Sequence, residues 1–349
     1  MGTIGETVRR RRSALRTGLT GRVLDVGLVV VVAVFIFFLG QRVVAQGPSF
    51  FLQILTFALA NGGIYALIAL GYTMVYGIIE LINFAHGDVF AFGAFLSGSL
   101  IPVFGLSSAT FGLGTAVGLL VVFFITMATC GVLNVSIERI AYRPLRNAPR
   151  LAPLITAVGM SFFLEGVLFL WKGPSNVAYP AVLPSVSFEI FGATVGIKEL
   201  IVIVTSVILM ISLALFVDRT WLGKAMRATA QDRDAALLMG IDIDRTIAAT
   251  FFIGALLAGA GGTMYGLYYN TSVFDLGFSA GLFAFTAAVF GGIGNIYGAA
   301  IGGMLIGLIR SFWDGYFESA WTDVVIFTIL ILTLVFRPTG ILGMRVPEK

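Results

Sequence analysis

The residues in this chain that could do chemistry are few and lie among apolar runs. One histidine, His86, stands inside Asn83-Phe84-Ala85-His86-Gly87-Asp88, with Glu80 just upstream. A histidine between two carboxylates at bilayer depth can relay protons. The same groups can instead fix a turn by hydrogen bonds and cap a helix that begins near Asp88. Glu165 sits within another apolar run, where an ionised carboxylate needs a partner or water, so it marks either a translocation path or a structural bond between helices. Cys130 is the single cysteine; it allows neither an internal disulfide nor a thiolate metal cluster and reads as a small packing residue. There is no G-x-x-x-x-G-K-[ST] phosphate loop, no H-E-x-x-H and no G-x-S-x-G. No cofactor and no metal site is therefore expected, and an intramembrane enzyme lacks a paired nucleophile and base. If nucleotide hydrolysis drives this chain, the hydrolysing site must be on another protein.

The polar stretch from Asp218 to Arg245 is where such a protein could grip. From Gly223 it reads Lys-Ala-Met-Arg-Ala-Thr-Ala-Gln-Asp-Arg-Asp-Ala-Ala-Leu-Leu-Met-Gly-Ile, and Ala235-Ala236 with Gly240 keeps an A-A-x-x-x-G spacing. A short helix ending in a glycine cap fits this string. With alanine on its contact face and Arg227, Asp232, Arg233 and Asp234 around it, such a helix can seat in a groove on an ATPase. An ordinary solvated amphipathic loop fits the same spacing.

The elements that must position these groups follow from composition. Of 349 residues, 58% are hydrophobic and only 11% charged, against roughly 25% charged in a soluble domain. At a mean hydropathy of +0.99 the chain cannot cover a globule with polar surface, which excludes a soluble enzyme, a disordered chain and a nucleic-acid binder. Apolar runs at 23–44, 50–76, 83–104, 111–138, 151–171, 199–217, 246–269, 279–291, 296–312 and 322–336 predict about ten transmembrane helices in an all-α polytopic fold. Arg9, Arg10, Arg11, Arg12, Arg16 and Arg22 precede the first run. They place residues 1–22 and both termini in the cytoplasm of a multi-pass protein of the cytoplasmic membrane. Alternation then puts Arg139, Arg143, Arg146, Arg150, the loop 219–245 and the tail inside, with 172–198 and 313–321 outside. The run 23–44, an extra helix ahead of the main domain at 50–340, can also be read as a cleaved signal peptide ending near Val43-Val44-Ala45.

Within the bundle, Gly254, Ala258, Gly262 and Gly266 lay a ridge of small residues along one helix face, as do Gly298, Gly302, Gly303 and Gly307. Both predict close packing seams, along which helices could also slide. From Ala60 to Phe95 the apolar run is interrupted by Asn61-Gly62-Gly63, Gly71-Tyr72, Tyr76-Gly77, Glu80 and Asn83. This predicts either a broken or re-entrant stretch beside a pathway or two helices joined by a polar turn around Glu80 to Asp88. Asp25, Asp275, Arg310 and Asp323 fall at span ends, where snorkelling makes them cheap, and carry no expected function.

Four strings resemble the H-type permease subunit of branched-chain amino acid ATP-binding-cassette importers. They are Asn61-Gly62 with Tyr65 to Gly71 and Asn83 to Asp88; Glu138-Arg139-Ile140-Ala141-Tyr142-Arg143-Pro144-Leu145-Arg146; Arg227-Ala228 through Leu238-Met239-Gly240-Ile241 to Gly259; and Phe290-Gly291-Gly292-Ile293-Gly294-Asn295 with Gly298-Ala299 and Gly302-Gly303. In order they cover residues 50 to about 340. The resemblance implies a type II-like importer permease with inverted pseudo-repeats. It also implies a second related permease chain, two cytoplasmic ATP-binding subunits and an extracytoplasmic substrate-binding protein. Leucine, isoleucine and valine are the implied substrates; relatives also move urea and short-chain amides. On this reading Arg227, Asp232, Asp234, Ala235, Ala236 and Gly240 couple to the ATPases. Asn61, Tyr65, Tyr72, Asn83, His86 and Glu165 line the path. An ion-coupled secondary transporter using His86, Glu80, Asp88 and Glu165 is the rival.

Overall fold

The computed structural model describes residues 37–108, 112–146, 148–149 and 151–343. The basic segment 1–22, most of the run 23–44 and Asp25 lie outside the described residues. Residues 37–46 are helical, with Phe37 and Phe38 packed edge to face at 6.0 Å.

The bundle that follows is helical throughout its apolar runs. Its elements are α1 (Pro48–Ile79), α2 (Ala85–Val103), α3 (Leu113–Ile137), α4 (Leu151–Lys172), α5 (Ile197–Arg219), α6 (Trp221–Gln231), α7 (Arg233–Leu238), α8 (Ile243–Tyr269), α9 (Leu276–Gly291), α10 (Ile296–Tyr316) and α11 (Thr322–Phe336). Each expected span from the second to the tenth coincides with one of these helices. Among the described residues, 7 helices are long and apolar enough to cross a membrane, and α9 is a shorter apolar helix. α3 continues as a π turn, Glu138–Tyr142, and a 3-10 turn, Arg143–Leu145. Two short antiparallel pairings lie at the opposite end: β1 (Val177–Ala178) with β4 (Thr271–Ser272), and the hairpin of β2 (Ser187–Ile190) with β3 (Ala193–Gly196).

α1 and α8 form the centre, with 78% and 72% of their membrane windows buried, against 17% to 39% for the other spans. Lipid is as apolar as leucine, so what separates centre from periphery is the chance of close backbone contact. The small-residue ridges provide it. A Cβ at Gly262 would stand 2.2 Å from the Phe90 carbonyl oxygen on α2, and one at Gly307 would stand 2.2 Å from the Gly62 Cα on α1. Both expected seams are therefore packing seams in the structure.

The interrupted stretch is two helices joined by a polar turn that begins at Glu80, the second of the two expectations, and not a helix broken within α1. α1 runs unbroken through Asn61-Gly62-Gly63 and Gly71, because these small residues are where α10 and α8 approach it; Gly63 packs on Ser206 of α5. The chain reverses at Glu80, which is left-handed at φ 55°. The non-helical residues that follow run back along α1, so that His86 packs on Gly71 and its ring meets Tyr72 edge to face at 4.9 Å. α2 already begins at Ala85, with Phe84 at its cap position and no side-chain cap. His86, Gly87 and Asp88 are therefore helical, and the expected capping role is not met.

Helix starts at one end of the bundle carry the local signals that polar capping requires. The Thr220 side chain accepts from the Gly223 N–H at 3.1 Å, Asp232 from Asp234 and Ala235 at 2.9 and 3.1 Å, Asp242 from Arg245 at 3.0 Å, and Asn295 from Tyr297 at 3.0 Å. The same end gathers Arg143, Arg146, Arg227, Arg233 and Arg245, whereas Lys172 and Lys198 stand at the end with the β pairings.

Candidate functional site

The expected short helix exists. α7 closes in a Schellman arrangement: Gly240, at φ 81°, donates its N–H to the Leu237 carbonyl at 3.0 Å, and Ile241 donates to Ala236 at 3.1 Å. Only glycine takes this left-handed position without strain. The outward face differs from the alanine face expected from spacing. Ala235 is exposed, but Ala236 is buried against the body. The apolar groups turned to solvent are Leu237, Leu238 and Met239, the last two at 87% and 82% exposure. The pairing of two alanines in sequence did not distinguish them because neighbouring helical residues point about 100° apart. Asp232 is the N-cap of α7, Asp234 is exposed in its first turn, and Arg227 is tied back to the end of α5 through the Val217 carbonyl and Asp218. Arg233 donates from Nη2 to the Ile78 carbonyl in the last turn of α1 at 2.7 Å. Through this bond α7 touches α1 directly.

The six expected pathway residues separate into three groups. Near the α7 end, Tyr72, Asn83 and His86 lie together. The Tyr142 hydroxyl donates to Asn83 Oδ1 at 2.7 Å, and the Tyr72 hydroxyl reaches the Phe84 carbonyl at a long 3.5 Å. His86 is fully buried; the Ile68 carbonyl interacts with its ring, yet neither nitrogen makes a hydrogen bond of normal geometry. Toward the other end, Asn61 and Tyr65 share a polar cluster. The Tyr269 hydroxyl donates to Asn61 Oδ1 at 2.6 Å, Asn61 Nδ2 donates to Ser311 Oγ at 3.0 Å, and Arg310 donates to the Tyr65 hydroxyl. Glu165 is apart from both groups, half-buried on α4. Its carboxylate lies within electrostatic range of Asp88 and Asp275, while Asp88 accepts a hydrogen bond from the Ser161 hydroxyl. Glu80 is exposed, and among the described residues no hydrogen bond links His86 to Asp88, Glu80 or Glu165. The four groups of the expected relay are not wired together.

Comparison with known proteins places this architecture. The family model for the branched-chain amino acid transport system permease component matches residues 54–334. The chain belongs to this permease family. It is 43% identical over 307 residues to the high-affinity branched-chain amino acid transport system permease protein BraD of Pseudomonas aeruginosa, covering 86% of this chain and 98% of BraD. Its identity to the corresponding protein LivH of Escherichia coli K12 is 41% over 307 residues, with the same coverage of each. Identity to LivM of the same organism is 24% over 310 residues, covering 82% of this chain and 69% of LivM. No solved structure matches this chain.

At its α7 end the permease carries a charge network that spacing did not reveal. Arg146 pairs with Glu138 and Asp244, and Arg143 also pairs with Asp244. The Glu138 side chain is only 2% exposed, so Arg146 is what neutralises it. Removing one partner of a buried pair strands the other charge, at about 3 kcal/mol or more. Arg146→Ala is therefore expected to lower the permease's melting temperature in detergent by several degrees, and Glu138→Gln in the same chain to recover most of it. No recovery would show that the carboxylate is not the stranded group.

Arg310 is the functional candidate that sequence reading assigned to a span end. The expected ninth span stopped at 312, but α10 continues to Tyr316, which leaves Arg310 inside the helix. Its guanidinium turns into the bundle, over the Phe283 ring at 4.9 Å and the Tyr65 ring at 5.7 Å. The available signal was a lone basic residue among Leu305, Ile306, Leu308 and Ile309. A cation in such a run is costly unless it faces protein or water.

Proposed function

We propose that this permease forms the transmembrane path of an importer for leucine, isoleucine and valine, with the α7 end in the cytoplasm. The proposed assembly is two ATP-binding subunits on α6 and α7, a second related permease chain alongside, and an extracytoplasmic binding protein at the end bearing the β pairings. The substrate class rests on the names of the relatives, and the orientation on the gathering of arginines at one end.

The observation that carries the coupling role is α7 itself. It presents Leu237, Leu238 and Met239 to solvent beside Asp232 and Asp234, a composition suited to an apolar groove with a polar rim. Its C-terminus is set by Gly240, and Arg233 bonds to the last turn of α1. A displacement of α7 by the ATPases would thus act first on α1, the helix that bears Asn61, Tyr65 and Tyr72, and, through the Tyr72 contact, on Asn83 and His86. Arg227 acts as a positioning residue by anchoring α6 to α5. Glu165 stands beside this path, within electrostatic range of Asp88. Transport needs no covalent chemistry from the permease: alternating exposure of the path suffices.

Purifying the tagged chain from its native membrane in mild detergent tests the reading. Phosphate-loop ATPases and a second polytopic chain are expected in stoichiometric amounts. In vesicles, with the binding protein outside and ATP inside, leucine uptake is expected to stop when ATP is withheld and to survive collapse of the proton gradient. A chain that purifies alone and transports without ATP would overturn it.

A further inference from the structure

We propose that Arg310 receives the α-carboxylate of the substrate at the outer end of the path. This rests on the function proposed above and names the contact by which the permease would read an amino acid.

A guanidinium has five N–H donors and no acceptor, so its surroundings state how much of its capacity is used. At Arg310 one Nη1 donates to the Tyr65 hydroxyl, and Nε approaches Asp314 Oδ2 at 3.6 Å. The latter distance is an ion pair beyond hydrogen-bond length. The other oxygen of Asp314 already accepts from the Thr322 hydroxyl. The rest of the cation is covered by the faces of Phe283 and Tyr65, which attract it without neutralising it. Among the described residues Nη2 has no hydrogen-bond partner, and the side chain remains 28% exposed. Arg146, at the other end of the permease, shows the contrast: two carboxylates bind it directly and it is 17% exposed.

Arg310 is thus held by aromatic rings, one hydroxyl and a long ion pair with Asp314, with a donor edge left over. A carboxylate matches that edge, since guanidinium and carboxylate pair as two parallel hydrogen bonds. A branched-chain amino acid carries that carboxylate next to an apolar side chain, and the groups packed against the guanidinium, Tyr65 and Phe283, are aromatic and themselves buried. The neighbouring Tyr269–Asn61–Ser311 chain holds Tyr269 and α10 in register. A single bidentate contact of this kind is strong enough to orient a passing substrate and weak enough to release it inward. Urea and other neutral solutes offer a carbonyl oxygen but no charged pair of oxygens to match it.

The test uses the full importer reconstituted in vesicles, with Cys130→Ala as background. Arg310→Cys is expected to lose at least tenfold in leucine uptake while ATP hydrolysis stimulated by the loaded binding protein is retained. Treatment with 2-aminoethyl methanethiosulfonate, which restores a cation, is expected to recover uptake; the neutral methyl reagent is not. Undiminished uptake in Arg310→Cys, recovery by both reagents or by neither, or hydrolysis falling in step with uptake would each overturn the proposal. If Arg310→Cys does not assemble, Arg310→Lys is measured. It keeps the charge but loses the fork, so a several-fold loss of leucine moved per ATP is expected, and an unchanged ratio overturns the proposal. Failure of the importer with the unaltered chain to move leucine at all would instead refute the underlying function.

Discussion

Gly262→Leu is expected to prevent the permease from reaching its folded state in the membrane. The position lies in the middle of α8, where it meets α2. A Cβ there would stand 2.2 Å from the Phe90 carbonyl oxygen, 2.7 Å from the Ala94 nitrogen and 3.1 Å from the Gly93 carbonyl carbon, and all three are backbone atoms. A flexible side chain could swing aside, but a helix backbone must be displaced whole. The adjoining contacts oppose that shift, because Gly259 packs on Met127 and Cys130 of α3 and Gly254 on Gly71 of α1. Overpacking in a close-packed interior costs about 1–3 kcal/mol, and a leucine against backbone belongs at or above the top of that range. That is a large share of the ~5–15 kcal/mol that separates folded from unfolded proteins. The measurement is the yield of monodisperse protein by detergent size exclusion, with the melting temperature of whatever remains. Gly159→Ala is the matched control. It lies on the exposed face of α4 with nothing within 4 Å of a new Cβ, so it should leave yield unchanged and raise stability by about 0.5–1 kcal/mol through helix propensity. Equal yields from the two variants would show that the seam does not hold the bundle together.

Gly240→Val is expected to abolish ATP-driven uptake while the chain stays in the membrane at its normal level. Here the reason is conformation and not space: nothing lies within 4 Å of a Cβ at this position, yet φ is 81°. A β-branched residue cannot hold that angle without a cost of about 1–2 kcal/mol or more. Relief of that strain breaks the Gly240→Leu237 and Ile241→Ala236 bonds, which unwinds the end of α7 and redirects Leu238 and Met239. The core is untouched, since these residues are exposed. Asparagine tolerates the left-handed region, so Gly240→Asn should retain most uptake. The pair of variants separates backbone geometry from side-chain bulk. Full uptake in Gly240→Val would remove α7 from the coupling mechanism, and equal loss in both would place the requirement on the absence of a side chain.

Much of the fold was legible without coordinates because its causes are local. Hydropathy alone sets where a chain must be helical in lipid, and the expected spans from 50 to 336 coincide with helices. The glycine ridges of α8 and α10 announced close backbone approach, and Gly240 ends the short helix as its position in the string implied. The interrupted stretch left a broken helix and a two-helix turn both open, because glycine breaks a helix in water by leaving its backbone exposed. Inside this bundle Gly62, Gly63 and Gly71 instead admit a neighbouring helix or side chain, and α1 continues through them.

What the residues around a site do to one another was not local. Tyr65 and Arg310 are 245 positions apart, and Asn61 and Ser311 are 250 apart. No periodicity connects them; α1 and α10 meet only because Gly62 and Ala66 face Gly307 and Gly303. The sequence by itself determined that this protein spans a membrane, where its helices run and which of their faces are smooth, since each follows from the solvent preference and shape of residues taken in short windows. Only the tertiary structure decided that Ala236 turns inward while Leu238 and Met239 turn out, that His86 rests against Gly71 without a carboxylate partner, and that Arg310 is lodged between Tyr65 and Phe283. Those outcomes depend on which helices touch, and contact between distant segments is settled by how the smooth faces pack together.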